Sequence, residues 1–235
     1  MPTIDLMPRH ARIAPGGFIY HVLNRGAGRQ DLFDRERDFA AFIRTVNDVV
    51  RQAPMRILSY CVMSNHWHFL LWPEKDGQLA AFMQRLTITH VRRWLEFRGR
   101  VGWGSVYQGR YKSFPVQDDD HLLNVARYIE RNPVRAQLVK DAERWRWSSL
   151  GQSQFVPSDS IPIVPLADFP IARRKDWRAW VNHPQTVREE EAIARSLRLS
   201  RPYADEGWIA RTDSTLKLPP LRPAGRPVGW RKDRK

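Results

Sequence analysis

The amino-acid sequence predicts an α+β fold in which a ferredoxin-like core precedes a small, basic and helical C-terminal extension. The core is predicted because strand-like and helix-like apolar spacings alternate in the order β-α-β-β-α-β-α. The two helices that cross over between strands of this antiparallel sheet are expected on one face of it. The extension is predicted because prolines begin to interrupt the chain from about residue 152.

The first half of the chain accounts for three strands and two helices. β-Branched and aromatic residues predict a strand from Phe18 to Asn24. Helical spacing then runs from a predicted N-cap at Asp34 to about Gln52. Two apolar segments, 56–63 and 66–72, predict a β-hairpin, and residues 78–98 predict a second amphipathic helix.

The second half supplies a last strand, a third helix and the extension. Residues 107–116 predict the strand, and the acidic run 118–120 predicts the cap of a helix that ends at Asn132-Pro133. We expect a core, then a Pro-rich linker with a short helical module, then a basic flexible tail, with the boundaries 1–150, 151–215 and 216–235.

Composition indicates a polyanionic partner. The chain has 39 Lys and Arg against 25 Asp and Glu, a formal net charge of +14. Its ten tryptophans are either ordinary core residues or flat surfaces for unpaired bases. The single cysteine, Cys61, excludes an internal disulfide and any site built from several thiolates. With no apolar run near ~20 residues, the sequence predicts a cytoplasmic, nucleoid-associated protein without a membrane partner.

The pattern His66-Trp67-His68 is the first candidate for chemistry. Residues two apart on a strand project from the same face, so both imidazoles point one way and Trp67 points the other. Two imidazoles on one face can share a metal ion. A structural or surface role for the pair is the alternative.

A second candidate is the pair Tyr128 and Asn132, which are four apart and therefore share one face of the third helix. Alone, they read equally well as a surface tyrosine and a helix terminator. Together with His66 and His68 they suit phosphodiester cleavage by a tyrosine nucleophile, with the amide completing a metal site. A phenol's pKa is near 10 in water, so the attack needs the help of a divalent ion, Mn²⁺ or Mg²⁺.

Several segments resemble one family. Residues 63–71, MSNHWHFLL, resemble the His-hydrophobic-His motif of the HUH endonucleases. Residues 127–139, RYIERNPVRAQLV, and 144–150, RWRWSSL, resemble the tyrosine helix and following segment of the single-tyrosine, single-strand transposases. Within that group the chain is most similar to the REP-associated tyrosine transposases, since YQGRYKS at 107–113 also fits their strand before the tyrosine helix. The resemblance covers roughly residues 12–150.

The resemblance implies an HUH core in which His66 and His68 are metal ligands and Tyr128 is the nucleophile. It makes Asn132 the candidate third ligand. Relatives among insertion-sequence transposases have a glutamine there, one methylene longer, so a direct contact between Asn132 and the metal stays open.

The implied substrate is single-stranded DNA with REP-like hairpins, cut near the hairpin foot to leave a 5′-phosphotyrosine and a free 3′ hydroxyl. No obligatory protein partner is expected. Two other functions stay open: a catalytically silent protein that binds the hairpin, and an RNA-binding protein or ribonuclease on the same fold.

Basic residues are assigned to the DNA. Arg110 and Lys112 are expected to hold phosphates, as is Arg25 in the turn after the first strand. Tyr111, between Arg110 and Lys112, is the rival nucleophile, and a backbone contact is its alternative role.

Two further assignments concern the tail and two remaining histidines. Arg222 and Arg226 surround a Gly-Arg-Pro segment that is either an AT-hook-like insert for the minor groove or a nonspecific tether. His21 and His90 have no partner at metal-ligand spacing and are expected to be core or surface residues.

Overall fold

A computed structural model describes residues 14–157 and 162–218. Its sheet has four antiparallel strands in the spatial order β2-β3-β1-β4, which is the ferredoxin-like arrangement that the sequence predicts. The strands are β1 (Ile19–Arg25), β2 (Arg56–Met63), β3 (His66–Trp72) and β4 (Lys112–Val116).

Two long helices cross over between the strands, and in the described residues six α-helices follow the last strand. The crossover helices are α1 (Glu36–Gln52) and α2 (Gln78–Phe97). The others are α3 (Asp120–Glu130), α4 (Asn132–Arg135), α5 (Ser149–Gln152), α6 (Trp177–Asn182), α7 (Val187–Leu199) and α8 (Glu206–Leu216).

The bounds of the β-hairpin agree with the prediction, whereas the start of α1 does not. Arg35, rather than Asp34, is the N-cap residue. The Asp38 carboxylate reaches back from the first turn and accepts from the backbone N–H groups of Asp34 and Arg35. The side chain that caps the start of α1 therefore belongs to the helix itself. Asp38 satisfies free backbone N–H groups there, a task that was expected of the Asp34 side chain.

Strand β4 is shorter than predicted because the side chain of Tyr107, where the strand was expected to begin, is hydrogen-bonded inside the core. Its hydroxyl accepts from Trp67 Nε1 at 2.9 Å and pairs with His90 Nδ1 at 2.7 Å, inside the core. Residues 108–111 lead from that anchor to the strand, which begins at Lys112.

The end of α3 also differs from the prediction. The helix ends at Glu130, and Asn132 opens the short α4 with Pro133 in its first turn, where a missing N–H costs nothing. The Asn132 amide then donates to the Tyr128 carbonyl at 2.9 Å. A side chain thus satisfies a carbonyl that the interrupted helix leaves without a backbone donor.

The helices cover both faces of the sheet. The predicted placement on one face holds for α1 and α2, which bury Trp67 and Phe69. The opposite face packs against α3 and, outside it, α6 and α7. That face carries Ile19 and Leu70 alongside the imidazoles, and so requires cover of its own.

Two later segments lie along the edge strand β2, one at the end of the predicted core and one in the extension. Val62 N donates to Trp147 O and Ala167 N to Ile57 O, each at 2.8 Å, so the free edge of the sheet is hydrogen-bonded. Residues 150 and 215, where boundaries were predicted, fall inside α5 and α8. None of the helices in the described part of the chain is both long and apolar enough to cross a membrane.

Candidate active site

His66 and His68 project from the same face of β3, as their spacing predicts. Their ring centroids are 5.0 Å apart, and the ring of Trp67 is fully buried on the other face. His68 is buried, whereas His66, the first residue of β3, is half-buried. The alternation of the strand alone produces this arrangement.

A neighbouring side chain engages the Nδ1 atom of each imidazole. His66 Nδ1 lies 2.6 Å from Asn65 Oδ1, and His68 Nδ1 lies 2.8 Å from Nε2 of His21 on β1. Nε2 is therefore the nitrogen through which each imidazole would bind a cation. This arrangement is typical of histidine ligands, whose second nitrogen is held by an outer group.

Both imidazoles are neutral at physiological pH. Burial, reinforced by the nearby guanidinium groups of Arg25 and Arg135, lowers the pKa of His66 to about 4, and contact with the Asn132 side chain opposes that shift. Burial also holds the pKa of His68 well below its ordinary value. Only the neutral form can ligate a metal, so the protonation state fits that role.

Helix α3 brings the Tyr128 phenol to this pair within one chain. The Tyr128 ring lies 6.1 Å from the His68 ring, centroid to centroid. The Arg135 guanidinium donates to Tyr128 Oη at 3.0 Å, and its carbon lies 4.2 Å from the centre of the same ring. A cation thus contacts both the oxygen and the face of the phenol.

Arg135 also joins Tyr128 to Asn132, because it donates to Asn132 Oδ1 at 2.8 Å. The Asn132 side chain is buried. The structure therefore brings together all four predicted residues, with a guanidinium that the sequence did not single out. The amide oxygen of Asn132 keeps one lone pair beyond the one that Arg135 uses.

The donor set fits a metal ion bound mainly by imidazole. In residues 14–157 and 162–218, no group of three or more His, Cys, Asp or Glu side chains is arranged to hold one. The donors that lie together here are the imidazoles of His66 and His68 and the Asn132 amide. The positive charge of Arg25 and Arg135 around them suits a phosphate as a further ligand.

Two buried side chains fix the helix that carries Tyr128. The Glu130 carboxylate accepts from Ser149 Oγ at 2.6 Å and from Trp177 Nε1 at 2.8 Å, and burial raises its pKa. Arg127 donates to the His183 carbonyl at 2.7 Å and stacks on Trp180. Ser59 Oγ on β2 also donates to Glu130 at 3.3 Å, so helix α3 is held by the sheet on one side and by the extension on the other.

Comparison with known proteins identifies the family of the chain. A family model described as IS200-like transposase matches residues 16–132, a span that contains both histidines, Tyr128 and Asn132. The chain belongs to the IS200-like transposase family. The resemblance drawn from residues 63–71 and 127–139 is thereby confirmed.

A solved structure shares the fold of this IS200-like transposase. It is a REP-associated tyrosine transposase bound to a REP hairpin, with 19% sequence identity and a TM-score of 0.50. The match covers 72% of this chain and 98% of the other. No curated protein matches the chain.

The two candidate tyrosines of the transposase belong to opposite sides of the sheet. Tyr128 packs with the residues around the histidines, whereas Tyr111 packs, partly buried, against the apolar cluster of the α1 and α2 side. The side chains of Arg110 and Lys112 are exposed, and Lys112 lies opposite Leu23 in the sheet.

The remaining predicted DNA contacts have different positions. Arg25 lies opposite His66 in the register of β1 and β3, and its Nε atom is buried without a hydrogen-bond partner among the described residues. Arg222 and Arg226 lie outside the residues that the structure describes.

Sequence reasoning missed two more features of the transposase. His21 is buried, as predicted for a core residue, but its contact with His68 was not predicted, since the two are 47 positions apart. Trp103 is 80% exposed, and it stands between Gly102 and Gly104, which both have positive φ. The available signal was that glycine pair, which frees the backbone to present the indole.

Proposed function

We propose that this chain is a metal-dependent endonuclease and strand transferase for single-stranded DNA, with Tyr128 as its nucleophile. Membership of the IS200-like transposase family supports the reaction class. One observation carries the assignment of the nucleophile: the Tyr128 phenol lies beside His66 and His68, with a guanidinium on its oxygen, inside a single chain.

The reaction exchanges one phosphodiester bond for another. Tyr128 Oη attacks the phosphorus, a bond forms between them, and the bond from phosphorus to the 3′ oxygen breaks. Overall, the phenolic proton is transferred to the departing 3′ oxygen. The strand downstream of the cut stays on Tyr128 through its 5′ phosphate, as a 5′-phosphotyrosine, and attack by a free 3′ hydroxyl on this phosphotyrosine can reverse the step without ATP.

The residues around the phenol have separate tasks. Arg135 stabilises the negative charge on the attacking oxygen through its 3.0 Å hydrogen bond and orients the ring by stacking on it. His66 and His68 would hold the divalent ion, with Asn132 as the candidate third donor. A bound Mn²⁺ or Mg²⁺ would supply Lewis-acid polarisation of the scissile phosphate, and a site rich in imidazole favours Mn²⁺.

We propose single-stranded DNA with a REP-like hairpin as the substrate. The shared fold with a transposase bound to a REP hairpin and the sequence resemblance to that branch support this assignment. Arg25, next to His66, is assigned to the phosphate nearest the cut, and Arg110 and Lys112 to the backbone leading away. Trp103 is assigned to an unpaired base, because it offers a bare aromatic surface.

The proposal extends to the organisation and location of the protein. Residues 1–150 form the nuclease core, 151–215 the linker and helical module, and 216–235 a basic tail in which Arg222 and Arg226 contact DNA. The net charge of +14 is consistent with residence on the nucleoid in the cytoplasm.

The test is an incubation of the protein with an end-labelled single-stranded hairpin, taken from repeats beside its own gene, in Mn²⁺ or Mg²⁺. A denaturing gel should show a covalent protein–DNA band for wild type and none for Tyr128→Phe. Tyr111→Phe is the matched control, because it removes a phenol on the other side of the sheet and should keep the band.

Each other result identifies a different function. A band that survives in Tyr128→Phe but disappears in Tyr111→Phe would transfer the role of nucleophile to Tyr111. Tight hairpin binding without cleavage by any variant would indicate a binding protein. Cleavage only of a strand with 2′ hydroxyls would indicate a ribonuclease.

A further inference from the structure

His21 is fully buried, and its imidazole is hydrogen-bonded to His68, although the two residues are not directly opposite each other in the sheet. His21 lies diagonal to His68 on the same face of the sheet, because Leu23 is the residue opposite His68. The two rings are nearly parallel, 20° apart, with centroids 5.0 Å from each other. His21 Nε2 and His68 Nδ1 are 2.8 Å apart, a full hydrogen bond.

Two aromatic rings also border His21. Phe114 meets it edge-on at 5.0 Å and Tyr128 at 6.1 Å, centroid to centroid. Its Nδ1 atom is buried and has no hydrogen-bond partner among the described residues. A hydrocarbon side chain would fill this place without burying an unpaired nitrogen, so packing alone does not account for an imidazole here.

Tautomer chemistry gives the imidazole a function. Two neutral rings share one hydrogen between His68 Nδ1 and His21 Nε2. When His68 carries that hydrogen, its own Nε2 has a lone pair free for a cation. When His21 carries it, His68 holds its hydrogen on Nε2 and cannot ligate.

The groups hydrogen-bonded to Nδ1 of His66 and to Nδ1 of His68 differ in whether they fix the tautomer of the imidazole. For His66 the partner is the Asn65 oxygen, which can only accept and therefore sets the tautomer by itself. For His68 the partner is a second imidazole, so the tautomer depends on His21 accepting. His21 is not itself a ligand in this arrangement, because its Nε2 is already used on His68.

We propose that His21 is a positioning residue for His68: it accepts the Nδ1 hydrogen of His68 and thereby directs the Nε2 lone pair of His68 to the divalent ion. This inference rests on the proposed metal site. It assigns a role to a residue on β1 that neither contacts substrate nor belongs to the His-x-His motif.

The test measures Mn²⁺ affinity of the full-length protein alone, from the electron paramagnetic resonance of free Mn²⁺. Outer partners of histidine ligands typically change affinity about 10- to 100-fold, so His21→Phe, which keeps a flat ring but no acceptor, should bind Mn²⁺ more weakly by about that factor. His21→Gln should restore most of the affinity, because its amide oxygen can accept from His68 Nδ1.

His90→Phe is the matched control. His90 is a buried histidine that is not placed at the site: it pairs with Tyr107 on the opposite side of the sheet, and its loss should leave Mn²⁺ affinity unchanged. Equal affinity of wild type and His21→Phe, with binding lost in His68→Ala, would overturn this inference and leave the metal site standing. Absence of Mn²⁺ binding by wild type would overturn both.

A measurement on wild type covers the case in which His21→Phe does not fold. In protein labelled with ¹⁵N-histidine and loaded with diamagnetic Zn²⁺, the nitrogen shifts should show His68 protonated at Nδ1 and ligated at Nε2. A metal-bound His68 that is ligated through Nδ1 would overturn the inference.

Discussion

The two faces of the sheet bury similar kinds of side chain for different purposes. The face under α1 and α2 is filled by aromatic and aliphatic groups, and its buried histidine, His90, is paired with a tyrosine hydroxyl. The face under α3 buries His21 and His68 against each other beside a phenol. The difference teaches that burial of an imidazole is not itself a sign of function. A buried imidazole indicates function when the groups that it contacts also contact a candidate reactive group, as His68 does with Tyr128.

Adjacent residues of β3 allow the sharpest test of this contrast. His66→Ala should reduce formation of the covalent DNA adduct by roughly 1,000-fold, since loss of a metal ligand forfeits several kcal/mol of charge stabilisation. Its melting temperature should change little, because His66 is half-buried at the end of the strand. A gel and a thermal melt on the same preparation check both expectations. Adduct formation at the wild-type rate would remove His66 from the site.

The neighbouring Trp67→Ala should show the reverse behaviour. Removing a fully buried indole, and its hydrogen bond to Tyr107, should lower the free energy of unfolding by about 3–5 kcal/mol. At a temperature where the variant is still folded, adduct formation should stay within a few-fold of wild type. Urea unfolding measures the first quantity and the gel the second. Loss of activity in fully folded Trp67→Ala would show that the two faces are not independent.

Arg135→Gln should weaken the chemical step by about 10- to 100-fold, the range expected for one charge-assisted hydrogen bond of about 1.5–3 kcal/mol. The reason is loss of the cation on Tyr128 Oη, while the glutamine amide can still donate to Asn132. Single-turnover rates at saturating DNA separate this effect from binding. Arg144→Gln, an exposed arginine paired only with Asp141 in the described structure, is the control and should cleave normally.

Trp103→Ala should weaken binding of single-stranded DNA by roughly 10-fold, because stacking of one base contributes about 1–3 kcal/mol. The indole is 80% exposed, so the stability of the fold should be unaffected. Fluorescence anisotropy with a labelled hairpin carrying a single-stranded flank measures the change, and Trp103→Tyr should recover most of the affinity. Unchanged affinity of the alanine variant would place the single strand elsewhere on the surface.

The smallest expected effect concerns stability in acid. Burial lowers the pKa of His90 to about 3, as it does for His21, so both remain neutral in the folded state while the unfolded chain takes up protons below its ordinary pKa of about 6.5. The free energy of unfolding should therefore be unaffected above that pH and should fall as the pH decreases towards 4.

Each such histidine contributes a slope of about 1.4 kcal/mol per pH unit in that window. His90→Gln should reduce the slope by one such contribution and leave cleavage intact, because His90 belongs to the apolar face. Urea unfolding at pH 7, 6 and 5 in chelator provides the comparison. Parallel pH dependences for the two proteins would mean that His90 is not buried in its neutral form.

Local pattern predicted the hairpin well and the helix ends less well. A two-residue turn between two apolar segments left little freedom for β2 and β3. The start of α1 and the end of α3 depend on which side chain reaches the free backbone groups. Asp38 does so from the capping-box position, but Arg35 stands where that motif usually has Ser or Thr, and Asn132 donates back to a carbonyl four residues earlier.

The candidate site was predicted in part for the same reason. His66, His68, Tyr128 and Asn132 could be proposed because the members of each pair lie within four positions of each other in the sequence, and the family resemblance connected the pairs. Arg135 was not singled out, although it lies seven positions after Tyr128 and three after Asn132, which is the spacing of one helix face; Arg131 keeps a helical conformation between α3 and α4 and so preserves that face. The sequence indicated the burial of Glu130 only weakly: its carboxylate lies four positions after the buried Ala126, on the same face of the helix.

The sequence by itself determined which way each side chain of β3 points and that the protein carries a charge suited to a polyanion. Both follow from local covalent geometry and composition, which need no partner in space. Only the tertiary structure decided that His21 lies against His68 and that α3 covers the face with the histidines. Those contacts join residues 47 and 60 positions apart, and they depend on strand register and on the packing of a helix against a sheet.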